Sequence, residues 1–169
     1  MNKSILLTKP IKTMPEVLIY KQNNVYRYTM LDVKNSKIAG RMYAHFIQNL
    51  KTKECSLFIN TLNIYQKRQG FGSKFLDFAK QVSKQFGCEG RVRLIASTTE
   101  YDPLNPPHIF YRKNGFSTDN KKLLKKIDKY IKNNKQLPHL STPPETMYYP
   151  PKPEVKMSFV ERIKDFFNI

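Results

Sequence analysis

The stretch Lys67-Arg68-Gln69-Gly70-Phe71-Gly72-Ser73 constrains this chain more than any other, because of its flanks. Ahead of it, Ser56-Leu57-Phe58-Ile59-Asn60-Thr61-Leu62 is apolar and β-prone and reads as a buried strand. Behind it, Phe75, Phe78, Ala79, Val82 and Phe86 recur at helical spacing, closed by Gly87. The glycines therefore fall on a strand-to-helix turn. Such a turn gathers free backbone N–H groups and the positive end of a helix dipole at one point, an arrangement suited to a pyrophosphate. Gly70 and Gly72 are expected to adopt unusual φ/ψ and to leave no Cβ in the way of a phosphate oxygen, with Lys67 and Arg68 adding charge at the rim. A dinucleotide fingerprint would need a third glycine and a later acidic residue, and a nucleoside triphosphate loop would need Gly-Lys-Ser or Gly-Lys-Thr where Gly72-Ser73-Lys74 stands.

A second motif follows: His108-Ile109-Phe110-Tyr111-Arg112-Lys113-Asn114-Gly115-Phe116. Asn105 suits an N-cap, Pro106 the first helical position and Asn114-Gly115 a left-handed stop, so a short helix carries Phe110 and Tyr111 and delivers Phe116 into a strand. Together the two motifs resemble the Gcn5-related N-acetyltransferase (GNAT) superfamily, whose coenzyme loop reads Arg/Gln-x-x-Gly-x-Gly/Ala and whose later helix often reads Tyr-x-x-x-Gly-Phe. The match spans Lys37 to Phe116, with a last strand at Thr146-Met147-Tyr148-Tyr149.

The resemblance implies an α/β fold: a mixed, mostly antiparallel sheet flanked by helices. It implies acetyl-coenzyme A as co-substrate, no metal, and transfer of an acetyl group to an amine by direct attack in a ternary complex. Arg68, Gln69, Gly70, Phe71, Gly72 and Ser73 would wrap the pyrophosphate, Lys67 standing where the family has Arg or Gln, with Asn105 near the coenzyme. Leu62, Asn63 and Ile64 would offer backbone groups to the pantetheine arm. Tyr111 stands where many members place the acid that reprotonates the leaving thiolate; a phenol suits that step. The other reading of Tyr111 is a ring packed on the sheet. For the base that deprotonates the amine, Glu54, Glu100, Asp102, His45 and His108 are candidates. Glu100 and Asp102 lie past the carboxyl end of the strand Arg91 to Ala96, the ligand side of an open α/β sheet. The residues choose no base among them.

The resemblance breaks in one place. The family inserts one or two helices between its first two strands, and between Val25 and Phe46 this chain has no room for them. Val17 to Tyr20, Val25 to Leu31 and Ile38 to Phe46 read instead as consecutive strands, and a hairpin turn is expected around Lys51-Thr52-Lys53.

With 169 residues the chain suits one domain. Residues 1–150 are assigned to the acetyltransferase-like domain and 151–169 to a C-terminal amphipathic helix striped by Phe159, Val160, Ile163, Phe166 and Phe167. Leu123, Leu124, Ile127 and Ile131 mark another amphipathic helix with a lysine face, and Leu137 to Pro153 is Pro-rich and extended. No apolar run approaches the ~20 residues a membrane span needs, and the N-terminus makes a poor signal peptide. Cys55 and Cys88 have no metal-ligand spacing, and in what reads as a cytoplasmic protein they are expected to stay unpaired. Thirty Lys and Arg against 13 Asp and Glu give a formal charge of +17. That field serves a polyanionic coenzyme, and it leaves open a second class of function, a non-catalytic basic protein contacting RNA or a ribonucleoprotein. A monomer or a homodimer fits equally.

Overall fold

A computed structural model describes residues 17–97, 107–133 and 144–152. Six strands form one sheet in chain order: β1 (Val17–Gln22), β2 (Val25–Asp32), β3 (Lys37–Gln48), β4 (Cys55–Ile64), β5 (Val92–Ala96) and β6 (Glu145–Tyr149). β1 to β4 are joined by tight turns, as the short spacing between the apolar segments requires, and pair antiparallel. No helix separates β2 from β3. A parallel pair needs a crossover, and α1 (Phe71–Gln85) supplies it between β4 and β5; β6 then closes the sheet antiparallel to β5.

Period-2 alternation sends Tyr28, Met30, Met42, Leu57, Leu94 and Met147 to one face. There they meet Phe75, Leu76, Ala79 and Val82, the apolar stripe of α1, in a single core that also takes in Phe116. α2 (Pro107–Lys113) stops where the sequence predicts: Gly115 has φ +86°, its N–H donates to the Arg112 carbonyl, and the Phe116 N–H donates to the Tyr111 carbonyl. Phe116 leads not into a strand but into one isolated bridge between Ser117 and Tyr148. α3 (Lys121–Asn133) starts on Asn120, whose side-chain oxygen accepts from the Leu123 N–H at 3.0 Å. It buries Leu123 and Ile127 with Ile109, and Arg112 clamps Asp128 with two N–H donors at 2.7 and 3.0 Å. The amphipathic helix assigned to 151–169 lies outside the described residues, apart from its first two positions.

One expectation is overturned. Cys55 and Cys88, 33 positions apart, are joined in a disulfide with their Cα atoms 5.0 Å apart. α1 runs back along the sheet, and the turn through Gly87 sets Cys88 beside the first residue of β4. The local sequence gives no sign of this closure, because it depends on how a whole β–α unit folds over. Bonded cysteines belong to oxidising compartments, so the cytoplasmic reading loses the support it drew from unpaired ones.

Candidate active site

The site begins with one extra residue in β4. Tyr43 of β3 faces Thr61, but the next residue, Ala44, faces Ile59, so Asn60 is a bulge. The bulge reverses which side of β4 each residue addresses. Before it, the Leu57 N–H donates toward β5, to the Arg91 carbonyl at 2.9 Å. After it, the Tyr65 N–H donates the other way, to Ala39 of β3 at 2.9 Å. By strand alternation the N–H and C=O of Leu62 and Ile64 then point away from β3. Among the described residues no strand meets them there, because β5 pairs with β4 only from Leu57 to Ile59 before the two diverge.

The gap holds a cleft of ≈ 560 Å³ whose lining brings together most of the residues singled out in the sequence. Leu62, Asn63 and Ile64 form one wall; Lys67, Arg68, Gly70, Phe71, Gly72 and Ser73 form the end; Tyr111 stands opposite. Gln69 is exposed on the loop but does not line the cleft. Glu100 and Asn105 lie outside the described residues. Tyr65, Gln66, Pro107 and Phe110 also line it and were not anticipated; only Phe110 had a signal, its place beside Tyr111.

The loop's backbone explains its shape. Arg68 has φ +62° and Gly70 φ +78°, two left-handed residues that turn the chain sharply from β4 into α1. Gly70 caps the helix without a side-chain hydrogen bond, and the first intrahelical bond is the Lys74 N–H to the Gly70 carbonyl at 3.1 Å. The N–H groups of Phe71, Gly72 and Ser73 precede that bond and open the positive end of a 15-residue helix whose first turn has no acidic residue. Among the described residues, Lys67 and Arg68 are the only charged ones lining the cleft.

Gly72 is small for a different reason than the sequence suggests. It has no positive φ. A Cβ there would lie 2.8 Å from Phe110 Cζ and 3.2 Å from Cε2, so its missing side chain makes room for a ring of α2.

Tyr111 is both packed and cleft-lining. Its ring packs against the core, 5.3 Å from Phe110 and 5.9 Å from Phe116 between centroids, while the residue also lines the cleft. The candidate bases scatter. His108 is buried, and that burial holds its imidazole below the ordinary value, with Glu145 pulling weakly the other way. Glu54 accepts from the Thr52 hydroxyl in the β3–β4 turn. His45 lies on the sheet face away from α1, its Nδ1 2.8 Å from the side-chain oxygen of Asn60. Asp102 lies outside the described residues.

No protein-family model matches the chain, and comparison with curated proteins finds no match. Solved structures do resemble it. One is a transcriptional regulator from Bacillus halodurans C-125, at TM-score 0.48 and 21% identity over 60% of this chain and 65% of that one. Another is the NatB acetyltransferase complex bound to a bisubstrate inhibitor, at TM-score 0.44 and 22% identity over 55% and 50%. A third is an aminoglycoside acetyltransferase from an uncultured soil metagenomic sample, at TM-score 0.46 and 19% identity over 57% and 61%. The chain thus spans between half and two thirds of each of these solved chains. In its own architecture, the mixed sheet, the glycine turn after β4 and the later Tyr-bearing helix resemble the GNAT superfamily.

Proposed function

We propose that this chain is an acetyl-coenzyme A-dependent N-acetyltransferase, with residues 1–150 as its acetyltransferase domain and 151–169 as an extension. The observation that carries the proposal is the free edge of β4 running directly into the helix N-terminus. The Leu62 and Ile64 peptide groups can hydrogen-bond an amide-bearing arm as another strand would, and the N–H groups of Phe71, Gly72 and Ser73 can receive a pyrophosphate. Lys67 and Arg68 match its charge, and among the described lining residues no carboxylate opposes it.

In this reading the acceptor's nitrogen attacks the thioester carbonyl. The N–C bond forms, the C–S bond breaks, and the departing thiolate takes its proton from the Tyr111 hydroxyl. A base must remove the amine's proton, and Glu100, just past the carboxyl end of β5, is the proposed residue. The acceptor is an amine, and no described lining residue narrows its identity.

Calorimetry with acetyl-coenzyme A, followed by thiol release over a panel of amines, tests the proposal. We expect saturable binding, weakened roughly tenfold by Lys67→Glu, which reverses an exposed charge at the rim. A folded protein that binds neither acetyl-coenzyme A nor coenzyme A would overturn it.

A further inference from the structure

The sheet has a second face, and among the described residues no helix covers it. Residues directly opposite on neighbouring strands share a face, so the register traces what lies there. Tyr20 of β1 pairs with Arg27 of β2, and Arg27 with Tyr43 of β3. Two residues along β3, His45 pairs with Phe58 of β4, Phe58 with Arg93 of β5, and Arg93 with Tyr148 of β6. A band of rings and arginines therefore crosses all six strands. At about 4.8 Å between strands it is about 24 Å long. Arg41 lies beside it, opposite Thr29.

Among the described residues the arginines of this band form no ion pair: the pairs are Lys80–Asp77, Arg91–Glu89, Arg112–Asp128 and Lys152–Asp119, and none involves Arg27, Arg41 or Arg93. The two strand carboxylates belong elsewhere. Glu145 alternates with Tyr148 and bonds Thr118 and Asn120, and Asp32 bonds Asn35 beyond the end of the band. Asp119 sits at the edge, where it accepts from Lys152 and the Tyr148 hydroxyl and also feels the charge of Arg93. Cations already rest on the outer rings: Arg27 lies 4.5 Å from the Tyr20 centroid and Lys152 5.0 Å from that of Tyr148. Among the described residues no cation lies over the inner rings, Tyr43 and Phe58.

An acidic peptide would use the arginines and leave the rings idle. A duplex would hide its bases from them. Phosphates joined by exposed planar bases use both. We infer that this face binds single-stranded nucleic acid, bases against Tyr43 and Phe58 and phosphates on Arg27 and Arg93. The inference stands apart from acetyl transfer: it uses the sheet face away from α1 and none of the cleft loop.

The test is fluorescence anisotropy on the full chain. The probes are labelled RNA and DNA single strands of about twelve nucleotides, a duplex of the same length, and poly-glutamate as competitor. Single strands should bind at least about tenfold more tightly than the duplex. Tyr43→Ala and Phe58→Ala should each weaken them roughly five- to hundredfold. Arg27→Gln with Arg93→Gln should lower the slope of log K against log salt by about 1.4. Lys125→Gln with Lys129→Gln, on α3, should leave the ring-dependent preference for single strands intact. Should Phe58→Ala fail the circular dichroism check, Tyr43→Ala and the edge variant Tyr20→Ala decide. Equal binding of duplex and single strand would overturn the inference. So would poly-glutamate competing as well as the oligonucleotide, ring variants that bind like the parent, or no binding at about 50 mM salt.

Discussion

Gly72→Ala is the most informative single substitution, because two opposing terms can be set against each other. Alanine favours a helix over glycine by up to about 1 kcal/mol, and less in the first turn. Against that, the new Cβ would stand 2.8 Å from Phe110 Cζ and 3.2 Å from Cε2, well inside ordinary contact. The ring has little freedom to retreat: the Gly115 turn, the Arg112–Asp128 clamp and its packing on Tyr111 fix α2. Overpacking of this kind costs about 1–3 kcal/mol. The net loss should be about 1–2 kcal/mol, read from urea unfolding at constant m. Phe110→Leu alone should also destabilise, through the lost ring. Combined, the two changes should recover about 1 kcal/mol relative to their sum, since the shorter side chain vacates the space the Cβ needs. Coenzyme affinity should fall in the single alanine variant and partly return in the pair. Strict additivity, within about 0.5 kcal/mol, would show that Gly72 is not there for Phe110 and would refute this reasoning.

Tyr111→Phe should lower kcat by roughly 10²–10⁴-fold with near-parent coenzyme affinity if its hydroxyl serves as the acid; turnover within a few-fold, at saturating acetyl-coenzyme A, would leave only the packed ring. Reducing the Cys55–Cys88 bond, which closes a separation of 33 residues, should cost about 3–4 kcal/mol, or roughly 7–14 °C in Tm. Identical thermal scans with and without dithiothreitol would contradict that. Burial lowers the His108 pKa in the folded protein, so the unfolded chain takes up a proton that the native state refuses. Stability should therefore fall as pH drops below about 6.5, the ordinary imidazole value. The urea midpoint should decline less between pH 7.5 and 5.5 in His108→Gln than in the parent; equal declines would absolve this residue.

What the sequence made legible was local. The apolar run before Lys67 and the helical stripe after Gly72 each fall within one element, so their periods report the strand, the turn and the helix directly. The Gly115 stop was readable for the same reason. Long-range partnership was not. Cys88 reaches Cys55 only after α1 folds back, and nothing in the spacing shows that Phe110, 38 positions on, will lie over Gly72. The Asn60 bulge was also hidden, because an apolar run such as Ser56 to Leu62 looks alike with or without a parity change. Glu100 and Asn105, placed by sequence at the site, fall outside the described residues, and Gln69 was grouped with neighbours whose backbone it shares but whose cleft it does not line.

Asn60 has a consequence for how this protein can vary. Upstream of it, odd-numbered β4 residues fill the core; downstream, the even-numbered Leu62 and Ile64 pack against it. Excising that one residue would join Ile59 directly to Thr61, and by strand alternation Leu62 and Ile64 would keep both their inward faces and the direction of their peptide groups. What would go is the local kink and added twist that a bulge gives its strand, at the point where β4 parts from β5 after Ile59. Such a deletion would thus be felt at the mouth of the cleft, where the two strands diverge, rather than in the core.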